Sequence, residues 1–299
     1  MLLQAAHQVA ASQQYPKGAL YLVATPIGNM ADMSLRALHV LSLVDAVACE
    51  DTRVSGQFLR HLGLDKKLLA VHQHNEASSA HHVVAMLQQG LRVAYVSDAG
   101  TPAVSDPGAH LVQAAQAAGL TVVPLPGASS VTAALSVAGD AQAHGFHFVG
   151  FLPSKGAARV TALREALGGE ASVVLFEAPH RIEALAKELN EVLPTGRVTV
   201  CRELTKQFED IATIDIAALP AWLEANAHRQ RGEFVLVVHA VPQGEAEPAL
   251  PPAMDALLQE LVRHVPVKQA AGLIADAAGW PRKAVYDLAL AHRQSGNSA

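Results

Sequence analysis

VSDAGTPAVSDPG, residues 96–108, joins a run that predicts a buried strand, Arg92 to Val96, to a run that predicts a helix, Gly108 to Ala118. Working outward from this loop, apolar strand-like runs and helical periods alternate along the chain from residue 18 onward. Such alternation is typical of a parallel sheet covered by helices. The region around the loop therefore predicts an α/β fold.

Five strand-like runs are predicted in this first part: GALYLVA (18–24), DAVACE (45–50), KLLAVH (67–72), RVAYVS (92–97) and TVVPLP (121–126). Helices are predicted after an N-cap at Ser34, and from a cap at Asn75 to about Gln89, where Gly90 ends it. The loops TPIGN, EDTR, SDAGTPAVSDPG and PGASS all follow strands. Ligands of open α/β sheets bind at that edge, so we expect the site there.

A second block begins near residue 129 with a predicted helix, Ser129 to Val137. The runs FHFVGFLP, SVVLFEAPHR, RVTVCRELTK and EFVLVVHA then predict a mixed sheet, and the proline-rich VPQGEAEPALPPA predicts a linker. The predicted organisation is a flexible N-terminal extension (1–17), two α/β domains (18–128 and 129–240), a linker (241–252) and a helical tail (253–299).

The composition excludes several classes of protein. The chain is 51% hydrophobic and 16% charged, so it can bury a large core, and its net charge of −5 gives no general sign of nucleic-acid binding. No apolar run approaches the ~18 residues of a membrane span. Cys49 and Cys201 form no disulfide framework, which indicates a reducing cytoplasm.

The loop 96–108 itself favours one kind of ligand. Asp98 and Asp106 could serve as oxygen ligands of a metal, but no further carboxylate or histidine lies near them in sequence, so we predict no metal site. A phosphate cradle would need a nearby lysine or arginine, and none lies between Arg92 and the helix. A shelf of small residues with two acceptors remains, which suits a cationic ligand that backbone approaches closely.

Two acids and an arginine follow the second strand directly, in CEDTR (49–53). Because neighbouring residues of an extended chain point in opposite directions, Glu50 and Asp51 cannot both face one pocket. One can act as a base while the other pairs with Arg53. The alternative is an acidic helix N-terminus that complements the helix dipole.

Polar residues also cluster at strand ends of the second block. Lys155, Arg181, Arg202 and Lys206 could form a basic lip for a phosphodiester backbone. The alternative is a set of strand-end charges that pair locally, as Arg181 could with Glu177.

The tail reads as a separate module. Between residues 264 and 293, two apolar helical faces are separated by Gly279 and Pro281, a pattern that matches a helix-turn-helix. Five Lys or Arg and two acids lie between Arg263 and Arg293, so the tail is basic within an acidic chain. This indicates a nucleic-acid partner. A helical hairpin that caps a domain or builds an oligomer is the alternative.

Taken in order, LYLVATPIGN, ACEDTR, VSDAGTPAVSDPG, PGASS, FVGFLPSK, LFEAPHRI, CRELTK and GEFVLVV resemble the tetrapyrrole-methylase-like class of S-adenosylmethionine-dependent methyltransferases. Within it, they are most similar to the branch that methylates the ribose 2′-hydroxyl of a cytidine in the decoding region of small-subunit (16S) ribosomal RNA. The resemblance implies two α/β domains with the active cleft between them, a helix-turn-helix-like tail, a homodimer, and ribosomal RNA, within the assembled 30S subunit, as partner.

The resemblance also implies roles for residues of this chain. The methyl donor, S-adenosylmethionine, would be held by Asp98, Gly100, Thr101, Ala103, Ser129, Ser130, Phe176 and Glu233. The acceptor side would be lined by Asn29, Glu50, Asp51, Arg53, Lys155, Arg181, Arg202 and Glu203. We add Lys206, Lys268, Arg282 and Lys283 as predicted RNA contacts.

The catalytic base is predicted to be Glu50 or Asp51, since Lys155 could accept a proton only in its neutral form. Two other functions stay open at this point. A tetrapyrrole or other small-molecule methylase would keep its activity after deletion of residues 253–299. A non-enzymatic RNA-binding assembly factor would be little affected by Asp98→Ala, which should abolish donor binding in either methylase.

Overall fold

The computed structural model describes residues 1–72, 76–167, 169–241 and 250–296. The chain divides into two compact units, Met1–Val241 and Pro242–Ala299, which we describe separately. The helix cap predicted at Asn75 and most of the predicted linker lie outside the described residues. None of the described helices combines the length and the apolar character that a membrane span requires.

The first half of the larger unit is a parallel five-stranded sheet in the order β3-β2-β4-β1-β5. Its strands are β1 (Ala19–Val23), β2 (Ala46–Cys49), β3 (Lys67–Ala70), β4 (Val93–Val96) and β5 (Thr121–Leu125). Its helices are α1 (Leu2–Ala10), α2 (Leu35–Leu43), α3 (Thr52–His61), α4 (Glu76–Gln88) and α5 (Ala109–Ala117), with a 3-10 turn at Met30–Asp32. The five predicted strands and the Ser34 cap of α2 are confirmed.

Alternate residues of the central strands supply two separate cores, one on each face of the sheet. Tyr21 of β1 packs with α2 and α3, whereas Leu20 beside it packs with α4 and α5. Both side chains are fully buried. Strands buried on both faces read as continuous apolar runs, which is why these strands were recognisable in the sequence.

The N-terminal extension differs from the prediction of a flexible segment. Residues 2–10 form α1, whose Ala6 is fully buried in the core beside α2. The Tyr15 hydroxyl donates a hydrogen bond to the Ala10 carbonyl oxygen, 2.9 Å away. No side chain caps the start of α1, so the helix carries no start signal in the sequence, and packing against α2 stabilises it instead.

The second half of this unit is a mixed sheet in the order β6-β7-β10-β8-β9, in which only β6 and β7 run parallel. Its strands are β6 (Phe146–Phe151), β7 (Ser172–Glu177), β8 (Arg197–Arg202), β9 (Asp210–Asp215) and β10 (Phe234–Val238). Its helices are α6 (Ser130–Ala138), α7 (Ala157–Ala166), α8 (Ile182–Val192) and α9 (Leu219–Glu224), with 3-10 turns at Ile216–Ala218 and Ala227–Gln230. The sequence did not predict β9, an edge strand whose alternate residues are exposed.

The smaller unit contains three described helices: α10 (Pro252–His264), α11 (Val267–Ala278) and α12 (Arg282–Gly296). They enclose a core of small and aliphatic side chains that includes Leu258, Ile274 and Val285. Gly279 ends α11 in the left-handed conformation, with φ of +68°. The predicted pair of helices separated by this glycine is therefore present, with α10 added before it.

Candidate active site

A cavity of about 460 Å³ lies where the strand-end loops of the two sheets of the larger unit meet. Loops after β1, β4 and β5 form one wall, and the ends of β6, β7, β8 and β10 form the other. Its described lining residues include no lysine and no arginine. A cavity of this size matches those that bind small molecules and cofactors.

Hydrogen bonds fix the three loops of the first wall to one another. The backbones of Thr25 and Gly100 exchange two hydrogen bonds, of 2.9 and 3.1 Å. The Thr101 hydroxyl donates to the carbonyl oxygen of Ala128 at 3.1 Å. The loop 96–108 is thereby held as a firm shelf between the other two loops.

The shelf contains backbone conformations that side chains normally avoid. Ala103 and Ser105 both have φ of +63°, although neither is glycine. Each such residue costs about 1–3 kcal/mol, and such strain concentrates at functional sites. The second wall shows the same feature, since Glu203 and Thr205 have φ of +53° and +66°.

Gly108 closes the shelf and admits no side chain. Its φ is +125°, and a Cβ there would overlap the ring of Tyr95. We expect Gly108→Ala to lower the free energy of unfolding by roughly 2–4 kcal/mol in urea titration. The control, Gly119→Ala, also has positive φ but open space around it, and should cost only about 1–2 kcal/mol. Equal losses would show that the contact with Tyr95 contributes nothing.

The predicted donor-binding residues fall into two groups. Those that line the cavity are Gly100, Thr101, Ser129, Ser130, Phe176 and Glu233. Asp98 and Ala103 belong to the same shelf but are not part of the lining. Asp98 instead lies beside the loop of the second strand, where its carboxylate accepts a hydrogen bond from the backbone of Asp51.

Three carboxylates lie close together beside the cavity: Asp98 and Asp106 belong to the shelf, and Glu50 follows β2. Burial raises the pKa of the Glu50 carboxyl above its ordinary value, and repulsion from Asp98 and Asp106 raises it further. Burial likewise raises the pKa of Asp98 and of Asp106. Among the residues that the structure describes, no group of histidine, cysteine or carboxylate ligands has the arrangement of a metal site.

The carboxylate of Asp51 caps helix α3 and pairs with Arg53. Its side chain caps α3 by accepting a hydrogen bond from the backbone N–H of Arg53, and it forms an ion pair with the Arg53 guanidinium at 2.6 Å. These contacts hold the pKa of the Asp51 carboxyl well below its usual range. A carboxylate stabilised in this way is a poor proton acceptor, so of these two acids Glu50 takes up a proton more readily.

Two residues of the predicted basic lip have internal partners instead. Arg202 is 8% exposed, and its terminal nitrogens donate to the carbonyl oxygens of Phe208 and Arg231. Arg181 pairs with Glu177 and donates to the carbonyl oxygens of Leu152 and Pro153. Both guanidiniums therefore stabilise the second wall, because the strand ends place carbonyl oxygens within their reach, and their contact with RNA stays a prediction.

Glu203 and Lys206 belong to a second set of ion pairs, which lies at the edge of the cavity. Lys206 pairs with the carboxylates of Glu203 and Glu233, each at 2.9 Å. Gly28, in the loop after β1, lies so close to this segment that a Cβ would be 2.9 Å from the Thr205 hydroxyl. The group thus fixes Glu233 at the cavity and joins the two walls.

The remaining predicted residues are exposed. Lys155 lies in the loop after β6, and Asn29 caps the 3-10 turn that begins at Met30. In the smaller unit, Lys268 and Lys283 are exposed. Arg282 forms an ion pair with Asp276 at 3.0 Å.

Sequence reasoning missed a buried charge network under the second wall. Arg159 is 1% exposed and forms ion pairs with Glu177 and with Glu188 of α8. Glu177 lines the cavity and also pairs with Arg181. Nothing in the local pattern of α7 distinguishes Arg159 from an ordinary surface arginine, so no sequence signal was available.

Two family models match the chain. The model described as Tetrapyrrole (Corrin/Porphyrin) Methylases matches residues 19–220, and the RsmI C-terminal HTH domain matches residues 248–293. A solved structure, uroporphyrin-III-C-methyltransferase from Thermus thermophilus, has a TM-score of 0.52 at 22% identity and covers 75% of this chain and 94% of its own. That likeness confirms the predicted fold class.

Curated relatives match over almost the whole length. Ribosomal RNA small subunit methyltransferase I of Neisseria meningitidis serogroup B is 43% identical over 284 residues, which cover 95% of this chain and 97% of the relative. The protein of the same name from Haemophilus influenzae is 41% identical and covers 92% and 97%. With the cavity, the strained shelf and the helical unit all in place, the chain belongs to the ribosomal RNA small subunit methyltransferase I family.

Proposed function

We propose that this protein transfers a methyl group from S-adenosylmethionine to the ribose 2′-hydroxyl of a cytidine in the decoding region of small-subunit ribosomal RNA. The observation that carries this proposal is the juxtaposition of two features in one cleft. A cavity whose described lining residues carry no positive charge lies beside a carboxylate, Glu50, whose environment favours taking up a proton. Family membership supports both the reaction and the RNA substrate.

The residues of the cavity fit the donor. Gly100, Ser129 and Ser130 offer small side chains and backbone groups, and Asp106 and Glu233 offer carboxylates to a cationic ligand. Phe176 and Val235 supply an apolar surface suited to the adenine ring. Asp98 and Ala103 act indirectly in this proposal, by shaping the shelf.

The donor supplies a methyl group already activated by its sulfonium, so the protein's tasks are positioning and proton removal. Glu50 accepts the proton of the ribose hydroxyl at a carboxylate oxygen. Asp51 and Arg53, tied to each other, fix the start of α3 beside it. The carboxylates of Glu50, Asp98 and Asp106 give this part of the cleft a negative field that suits a sulfonium.

Exposed basic residues bind the RNA in this proposal. They are Lys155 in the larger unit and, in the smaller unit, Lys268, Arg282 and Lys283. Lysine contacts with phosphates raise affinity without reading sequence, and they make binding depend on salt. The assembled 30S subunit as substrate, a homodimer and a cytoplasmic location complete the proposal; they follow from the resemblance of the sequence.

Removing Lys268 and Lys283 together should weaken RNA binding and flatten its salt dependence. Each lost phosphate contact reduces the slope of log affinity against log salt by about 1. Filter binding of small-subunit RNA across a salt series measures this. Lys187→Ala, which removes an exposed lysine of α8, is the control and should leave the slope unchanged. A slope unaffected by the double substitution would remove the smaller unit from the RNA interface.

The reaction itself is tested by incubating the full-length protein and tritiated S-adenosylmethionine with small subunits from cells that lack it. We expect tritium in the RNA fraction. Asp98→Ala should reduce incorporation and donor binding together, whereas a non-enzymatic RNA-binding protein would be indifferent to this change. Absence of tritium from the RNA with wild-type protein would refute the proposal.

A further inference from the structure

Phe151, at the end of β6, is the feature that the reaction leaves unexplained. Its side chain is 60% exposed, yet it lines the cavity. Burying an aromatic ring against a ligand is a large apolar gain, so a ring exposed at the mouth of a cavity is well suited to contact a ligand there.

The ring is held in a fixed place. Phe151 pairs in register with Phe176 of β7, and the two rings meet edge to face with their centroids 5.6 Å apart. The chain directly after it is anchored, because Leu152 is buried and Arg181 binds the carbonyl oxygens of Leu152 and Pro153. A rigid aromatic surface binds with little loss of conformational entropy.

Phe151 lies at the open mouth of the cavity, beside the shelf. Gly150, beside it, lies so close to the shelf that a Cβ there would be 2.9 Å from the Ser105 hydroxyl, and Asp106 follows Ser105. The more enclosed apolar surface of the cavity comes from Phe176, which is half-buried, and from Val235, which is 7% exposed. An adenine ring has that closed surface available, so the open ring of Phe151 is left for the other substrate.

We propose that Phe151 stacks on the base of the nucleotide whose ribose is methylated, an inference that rests on the proposed function. Because the donor fills the cavity in the proposed function, the target nucleotide reaches the methyl group at the mouth of the cavity and leaves its stack to do so. An aromatic ring at the mouth replaces the stacking that the base loses. Lys155, which is exposed in the loop that follows β6, lies four residues after Phe151 and can contact the adjoining phosphate.

The test compares single variants in steady-state methylation of small subunits from cells lacking the protein, with calorimetry for donor affinity. Phe151→Ala should raise KM for the subunit about 5- to 150-fold, the range for loss of one base–aromatic stack, and leave donor Kd unchanged. Phe151→Leu, which keeps apolar bulk without a ring, should behave like Phe151→Ala, and Phe151→Trp should restore a KM near the wild-type value.

Phe146→Ala is the matched control, since Phe146 is a phenylalanine of the same strand that is 53% exposed and outside the cavity lining. It should leave both constants unchanged. An unchanged KM in Phe151→Ala, or a weakened donor Kd alone, would overturn the stacking role and leave the proposed function intact. If wild-type protein transfers no methyl group to the subunit, the proposed function and this inference fall together.

Discussion

Glu50→Gln is expected to lower kcat for RNA methylation by about 10²- to 10⁴-fold, the usual contribution of a positioned general base. Glutamine keeps the size of the side chain but cannot accept the proton of the ribose hydroxyl. Because Glu50 is not part of the cavity lining, donor binding should be largely retained. Single-turnover transfer at saturating donor measures the loss directly.

Asp51→Asn is the matched control for this change. Asparagine is as good an N-cap as aspartate, so α3 should keep its start while the charge pairing with Arg53 is lost. We expect kcat to stay within a few-fold of wild type, since an ion pair on the surface contributes little. If Asp51→Asn removes activity and Glu50→Gln does not, the two carboxylates have been assigned the wrong way round.

The pH dependence of kcat provides an independent check on Glu50. The base works in its deprotonated form, so activity falls as the pH drops below the pKa of Glu50. Burial and neighbouring carboxylates raise that pKa, so the acid limb should lie above the ~4.3 of a free glutamate. Glu50→Gln should abolish this limb in the activity that remains.

Arg159→Ala should be the most destabilising of the substitutions considered. It removes a guanidinium that is 1% exposed, and leaves Glu177 buried with Arg181 as its remaining charged partner in the network. Breaking a buried ion pair by removing one member costs about 3–5 kcal/mol, because the other charge is left poorly compensated. Urea unfolding followed by circular dichroism measures this free energy.

The control for that experiment is an exposed ion pair in the second sheet. Arg197 and Asp215 lie 3.9 Å apart with side chains 60% and 78% exposed. Arg197→Ala should therefore cost less than about 1 kcal/mol. Similar losses in both variants would mean that burial adds nothing to the Arg159 network.

The parts of the fold that the sequence predicted are those with a local signal. The central strands of the first sheet are continuous apolar runs, and Ser34 precedes a helical period. The loop 96–108 lacks bulky and positively charged residues, and this composition predicted a shelf for a cationic ligand. The structure places Gly100 and Thr101 of this loop at the cavity. Signals of this kind need no knowledge of what lies across the molecule.

The parts that escaped prediction depend on partners distant in sequence. Arg159 meets Glu188, 29 residues away, and Arg202 donates to the carbonyl oxygen of Arg231, also 29 residues away. A basic residue at a strand end has the same appearance whether it faces RNA or braces a loop. Similarly, α1 is stabilised by the core that it joins, and the exposed alternate residues of β9 gave it no apolar run.

The most direct test of the central claim is a map of ribose methylation on small-subunit RNA. Subunits from cells lacking the protein are incubated with S-adenosylmethionine and either wild-type protein or the Glu50→Gln variant, and every 2′-O-methyl position is then located. We expect wild-type protein to add one 2′-O-methylcytidine in the decoding region and the variant to add almost none. A methyl group found on a base, or none found in the RNA, would contradict the claim.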